Sequence, residues 1–222
     1  MIFVIRPEPG LQSTLQGARD MGLAVVGMPL FEVLPLRWPA PDATGFDALL
    51  LGSANAVRHG GDALEQYRDL PVHAVGKATA EAAQDAGFTV EQVGEGGLQA
   101  VLDANDNPTR YLRLGGVETV PLEPGRHTVT ERAVYDVRAL PITGSAQVSL
   151  RAGNPCVLLH SAAAARHYAA EVDRLGLDRS AMQLACIGPR VAAAAGEGWA
   201  KVASAPQPSD SALLALARDM CH

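Results

Sequence analysis

No apolar run in this chain approaches the roughly 18 residues that a membrane-spanning helix needs, so no membrane partner is expected. The opening stretch MIFVIRPEPG has no basic region ahead of its apolar residues and no small-residue cleavage site. It reads as a first strand rather than a signal peptide, and the expected location is the cytoplasm. Aromatic residues make up only 5% of the chain, which leaves an aliphatic, alanine-rich core and no aromatic platform for stacked bases. The formal net charge is -6 with no basic stripe, which argues against nucleic acid as a partner. Cysteine is scarce: Cys156, Cys186 and Cys221 have no metal-ligand spacing, and an odd count suits a reducing compartment. Cys156 and Cys186 sit inside apolar runs and read as buried, inert thiols.

Several chemical signatures are missing as well. There is no G-x-x-x-x-G-K-[ST] loop, no H-E-x-x-H and no calcium-loop cluster. The GEGG at 94–97 lacks the spacing and the strand-to-helix setting of a dinucleotide fingerprint. GSANAV is not a nucleophile elbow, because Asn55 stands where the elbow needs glycine. His160 beside Ser161 suggests a base and a nucleophile. Adjacent residues at a strand end point in different directions, however, and no carboxylate is placed to orient the ring.

What is present is a repeat. FDALLLGSANAVRHG (46–60) followed by PVHAVGKATAEAAQDAGF (71–88) returns roughly a hundred residues later as NPCVLLHSAAAARHY (154–168) followed by MQLACIGPRVAAAAGEGW (182–199). Ser53 falls on Ser161, Ala54 on Ala162, Arg58 on Arg166, His59 on His167 and Gly76 on Gly188. Each copy is an apolar strand ending at a serine that opens a helix, then a second strand ending at a glycine that opens another. The repeat predicts two similar flavodoxin-like α/β lobes with parallel sheets and a cleft between them. Such folds bind ligands at strand ends and helix N-termini, which points to an anionic small molecule.

Strands are expected at Ile2–Ile5, Leu23–Val26, Thr89–Val93, Tyr111–Leu114, Thr128–Leu140 and Lys201–Ser204, besides those of the repeat. A short helix is expected near Glu118–Glu123, and a last helix from Ser209-Asp210. Two extended, proline-flanked segments bracket the first repeat and read as a two-stranded hinge, 31–38 and 132–141. The lobes are then 1–30 with 142–222, and an inserted 39–131.

Candidate ligand groups follow from this layout. Ser53 and Ser161 cap helices whose first amides, at Ala54 and Ala162, can meet a carboxylate or phosphate; Gly76 and Gly188 let the backbone approach one. Lys77 and Thr79 follow Gly76, and Arg190 follows Gly188, within reach of an anion or simply in solvent. Arg6 ends the first strand, facing either the cleft or the surface. Tyr135, the lone tyrosine of its hinge segment, is either a packed aromatic or a group facing the ligand. A monomer is the default.

These residues resemble the uroporphyrinogen-III synthase family over almost the whole chain. Ile5-Arg6-Pro7 is similar to the family's opening T-R-P, and Ser53, Asn55, Ala56 and Val57 stand in its T-S-x-N-A-V segment. Gly76, Thr79, Ala80 and Gly87 match V-G-x-x-T-A … G, ERAVYDV matches the hinge with its tyrosine, and PSDSALLALA matches the closing helix. The chain departs from the pattern at Ile5, at YLRLGG, where Arg113 precedes the usual arginine position, and at Pro189-Arg190-Val191 in place of Pro-Thr-Thr. The resemblance implies a cofactor-free, metal-free enzyme acting on the polycarboxylate hydroxymethylbilane, a linear tetrapyrrole. It implies substrate contacts at Arg6, Ser53, Ala54, Asn55, Gly76, Lys77, Thr79, Arg113, Ser161, Ala162, Gly188 and Arg190, and a catalytic Tyr135. A non-catalytic binding or sensor protein for an anionic small molecule would share this layout.

Overall fold

A computed structural model describes Met1–Cys221. The chain forms two compact units, Met1–Glu32 with Arg138 onward, and Val33–Val137. It passes between them at 32–33 and 137–138.

The first unit begins with β1 (Ile2–Val4), α1 (Gly10–Asp20) and β2 (Val25–Gly27). The chain leaves through β3 (Phe31–Pro35), which belongs to the other sheet. It returns with α5 (Gly144–Arg151), β9 (Cys156–Leu159), α6 (Ala162–Arg174), β10 (Gln183–Cys186), α7 (Pro189–Ala194), β11 (Lys201–Ser204) and α8 (Asp210–Cys221). Its five-stranded sheet has the order β11-β10-β9-β1-β2, with parallel neighbours throughout. The central strands are buried on both faces, which explains their unbroken apolar runs IFV, CVLL and QLAC. One face packs Tyr168, Val172 and Val191 of α6 and α7; the other packs Leu11, Leu213 and Leu214 of α1 and α8. α6 buries Ala164, Ala165, Tyr168, Ala169 and Val172, the recurrence of a helix with one apolar stripe.

The second unit holds β4 (Ala48–Leu51), α2 (Ala54–His59), β5 (Val72–Val75), α3 (Lys77–Asp85), β6 (Val90–Gly94), α4 (Leu98–Asp103), β7 (Arg110–Gly116) and β8 (Thr128–Ala139). Its sheet has the order β3-β8-β7-β4-β5-β6, and β6 through β8 are parallel neighbours. Ala56, Ala80 and Ala83 of α2 and α3 cover one face, and Val101 and Leu102 of α4 the other.

The two sheets share one winding. From β4 the chain steps outward through β5 and β6, then returns to the other side with β7 and β8. From β9 it steps outward through β10 and β11, while β1 and β2, from the start of the chain, take the other side. The repeat is thus one topology, circularly permuted in the first unit. Each sheet has a point where the winding direction reverses, between β4 and β7 and between β9 and β1. In doubly wound sheets the crevice opens there, outside the carboxyl ends of the strands.

One local expectation fails, and one helix comes without a sequence signal. The segment 118–123 forms no helix, because Pro121 lacks an amide and Pro124 biases the residue before it away from helical geometry. α5 was not anticipated, because GSAQVSLR opens with glycine and serine and buries only Leu150.

One ion cluster ties the first unit together. Arg6 Nη1 donates to both carboxylate oxygens of Asp210, at 3.0 and 2.9 Å, and Thr14 Oγ1 donates to Oδ2 at 2.6 Å. β1, α1 and α8 therefore meet at one carboxylate. Burial works to raise the Asp210 carboxyl, but the neighbouring His160 ring, the Thr14 hydroxyl and the Arg6 charge overcome it and hold the group at about 2, against an ordinary 3.8. A depressed folded-state pKa stabilises above the unfolded value and is lost as pH falls through the folded one. Asp210→Asn is therefore expected to lower stability by about 2 kcal/mol at pH 7. The gap should narrow below about pH 4 and close near pH 2. Urea unfolding of both proteins across that range measures it, and a gap independent of pH would refute the assignment.

Candidate functional site

The reversal point between β4 and β7 opens into a pocket of about 390 Å³, within the range of small-molecule sites. Its floor is Gly52 and Ser53 after β4, and Arg113 to Gly116 at the end of β7. Gly96, Gly97, Leu98 and Gln99, at the start of α4, form one wall; Glu118 to Leu122 form another; Tyr135 of β8 completes the lining.

The buried cation here is Arg113, only 5% exposed. Its Nη1 donates to Glu131 Oε1 at 2.7 Å, and its Nε is buried with no partner among the described residues. A buried guanidinium needs its donors answered, and among the described residues this one leaves its Nε unanswered.

Tyr135 is placed by backbone register. β7 and β8 pair Arg113 with Glu131 and Gly115 with Ala133, then slip by one residue so that Gly116 faces Tyr135 rather than Val134. The ring lies over Gly116, where an added Cβ would come within 2.8 Å of Tyr135 Cε2. The His59 ring lies tilted beside it, with centroids 6.2 Å apart. Burial, and then the Arg58 charge, hold His59 below its ordinary 6.5.

The reversal point of the first unit is built differently. There Arg6 follows β1, and His160 and Ser161 follow β9. The Asp210 carboxylate takes the Arg6 charge, and His160 Nε2 lies 3.2 Å from Asp210 Oδ1 without the alignment of a hydrogen bond. Sequence reasoning found no carboxylate for His160; the one that reaches it lies fifty positions away, on α8. Ser161 Oγ is spent as an N-cap, accepting from the Ala164 amide at 3.1 Å.

The remaining expected site residues sort by place. Ser53 lines the pocket and caps α2, accepting from the Asn55 amide at 3.2 Å. Ala54 is buried behind it. Gly76 opens α3 with φ +76° and no capping side chain, whereas Gly188 opens α7 in extended backbone that any residue adopts. The repeat therefore preserves topology here and not conformation. Thr79 is buried. Lys77 points to solvent and pairs with Glu81 at 3.5 Å, and Arg190 is exposed on α7. α2 and α7 are only six residues long, so their dipoles are short. Sequence reasoning missed Gly96, Gly97, Gln99 and the wall 118–122; two prolines three apart, Pro121 and Pro124, were the readable signal for that wall. No cluster of three or more His, Cys, Asp or Glu among the described residues is arranged to hold a metal ion, and no described helix is long and apolar enough to cross a membrane.

A family model, Uroporphyrinogen-III synthase HemD, matches residues 12–215. The fold is similar to that of a uroporphyrinogen-III synthetase from Helicobacter pylori 26695, with TM-score 0.72 and 20% identity over 99% of this chain and 98% of that one. It is also similar to a mutant uroporphyrinogen III synthase from the extremely thermophilic bacterium Thermus thermophilus, with TM-score 0.57 and 17% identity over 100% of this chain and 99% of that one. No curated protein sequence matches.

The Tyr135 placement is testable without substrate. Gly116→Ala must displace the ring, and overpacking of this kind is expected to cost about 1–3 kcal/mol. In a Tyr135→Ala background the same change should cost less than about 0.5 kcal/mol, since the pair is then uncoupled. Equal costs in both backgrounds, by chemical denaturation, would contradict the stacked geometry.

Proposed function

The chain belongs to the uroporphyrinogen-III synthase family, and from that premise we infer the reaction it catalyses. It closes hydroxymethylbilane to uroporphyrinogen III, inverting the terminal pyrrole and losing water, as a cyclising lyase of tetrapyrrole biosynthesis. The observation that carries this reading is the family match over residues 12–215.

The chemistry asks little of a strong acid or base. Loss of the hydroxyl leaves a cationic azafulvene that closes without inversion in free solution. The enzyme must hold a polycarboxylate folded so that the correct carbon attacks. Catalysis by positioning is worth up to roughly 7–11 kcal/mol in favourable cases. In our reading the Arg113 guanidinium, which lines the pocket, receives one substrate carboxylate, a charge-assisted bond in a poorly hydrated place. Tyr135 donates a hydrogen bond to the departing hydroxyl. Ser53, Ala54 and Gly76 present backbone groups along the same strand ends, and flexing of 31–38 and 132–141 admits substrate. The work is assigned to the cytoplasm.

The direct test supplies hydroxymethylbilane, oxidises the product and separates the uroporphyrin isomers. Mostly isomer III, in proportion to added protein, is expected; only isomer I at the uncatalysed rate would defeat the reading. Tyr135→Phe should lower kcat about tenfold or more with KM little changed; full kcat would remove its role. Arg113→Lys keeps the charge beside Glu131 but loses the Nε donor. It should raise KM about tenfold with a smaller effect on kcat, and an unchanged KM would count against the carboxylate contact.

A further inference from the structure

We propose that Gln99 is a positioning residue whose amide latches segment 117–123 in place as a wall of the pocket; the proposal rests on the synthase reading of that site. Residues 118–122 line the pocket consecutively, yet none of them makes a backbone hydrogen bond among the described residues. Pro121 within and Pro124 just beyond remove amides that could have built a turn. Such a segment cannot hold its own shape, so its position is set by its attachments.

There are two sets of these. At the β7 end the Val117 amide donates to the Tyr135 carbonyl at 3.1 Å, and Thr119 Oγ1 reaches Glu131 Oε2 at 3.5 Å. At the far end Leu122 packs against the core that includes Val101 and Leu102 of α4, and one side chain supplies the hydrogen bonds. Gln99 Nε2 donates to the Glu123 carbonyl at 3.1 Å, and Gln99 Oε1 accepts from the Glu123 amide at 2.9 Å. A primary amide is the group that can answer both the donor and the acceptor of one residue's backbone. The same Nε2 donates to Asp103 Oδ1 at 2.8 Å, one turn along α4, which fixes the rotamer. Gln99 therefore ties the free end of the wall to the helix forming the opposite wall, and the width of the pocket follows from that tie.

A wall that contacts substrate and transition state alike contributes uniform binding, which appears in KM rather than kcat. Two variants separate the parts of the latch. Gln99→Met keeps the stem and loses both bonds; Gln99→Glu keeps the acceptor and loses the donor to the carbonyl. Hydrogen exchange on the protein without substrate comes first. Gln99→Met should speed exchange of the Glu123 amide about tenfold, with β4 and β7 unchanged; equal exchange in variant and wild type would overturn the latch. With hydroxymethylbilane, Gln99→Met should raise KM about tenfold while kcat stays within about twofold, and Gln99→Glu should fall between. Wild-type constants in Gln99→Met, beside a wild type that makes isomer III, would overturn the positioning role. A wild type that makes only isomer I would remove the synthase reading and this role together, while the exchange result still reports whether the latch exists.

Discussion

The pair formed by Arg113 and Glu131 is the interaction on which the second unit's site depends. A guanidinium buried on a central strand needs an anionic partner, and Glu131 supplies it from a half-exposed position at the sheet surface. Here the partner stands directly across the ladder, because Arg113 and Glu131 are register partners of β7 and β8. The charge requirement therefore pins register as well as energy. With Arg113 opposite Glu131, the slip at Gly115 and Gly116 brings Tyr135 onto Gly116, a position where any side chain would collide with the ring. Glu131 also reaches Thr119, so the same carboxylate touches the foot of the neighbouring wall.

The two units show how one topology yields two different strand-end sites. In the second unit the reversal point is an open pocket floored by glycines. In the first it is occupied by a carboxylate of the chain itself, with Arg6 and Thr14 committed to Asp210. An aspartate beginning α8 satisfies that helix's N-terminal preference for negative charge, and it is also the counter-ion that β1 requires. Equivalent strand ends thus carry side chains that line a pocket in one unit and bind one another in the other. The repeated Arg-His pair diverges in the same way: His59 packs beside Tyr135, while His167 reaches the Leu140 carbonyl at 2.8 Å and packs against Phe31.

Much of the fold was legible because its signals are local. Apolar runs ending in serine or glycine mark strand-to-helix turns, and their recurrence marks the duplicated winding. Ser53 and Ser161 cap the helices they were expected to cap. Legibility fails where a contact joins distant positions. Nothing near His160 indicates that Asp210 will reach it, and nothing near Arg113 distinguishes a buried guanidinium from an exposed one. Gln99 is an ordinary polar residue of a short helix; its weight comes from Glu123, whose backbone is unheld because of Pro121 and Pro124. Gly188 shows the converse, since the repeat aligns it with Gly76 although its backbone has no need of glycine.

Electrostatics gives the burial of Arg113 its functional sense. The protein carries a net charge of -6 and, on the proposed reading, receives a substrate that is itself polyanionic. At physiological salt such repulsion fades beyond a Debye length of about 8 Å, so approach is tolerable but gains nothing from steering. Attraction must then be short-ranged and strong where contact occurs. A buried guanidinium meets that need, because screening is weak there and the donor is already oriented. Its bond to Glu131 anchors the guanidinium, and its Nε has no partner among the described residues. Solvent-exposed cations, as Lys77 and Arg190 are on their helices, would offer only screened attraction. The anion recognition proposed here therefore rests on the strand and its ladder partner more than on the helix openings.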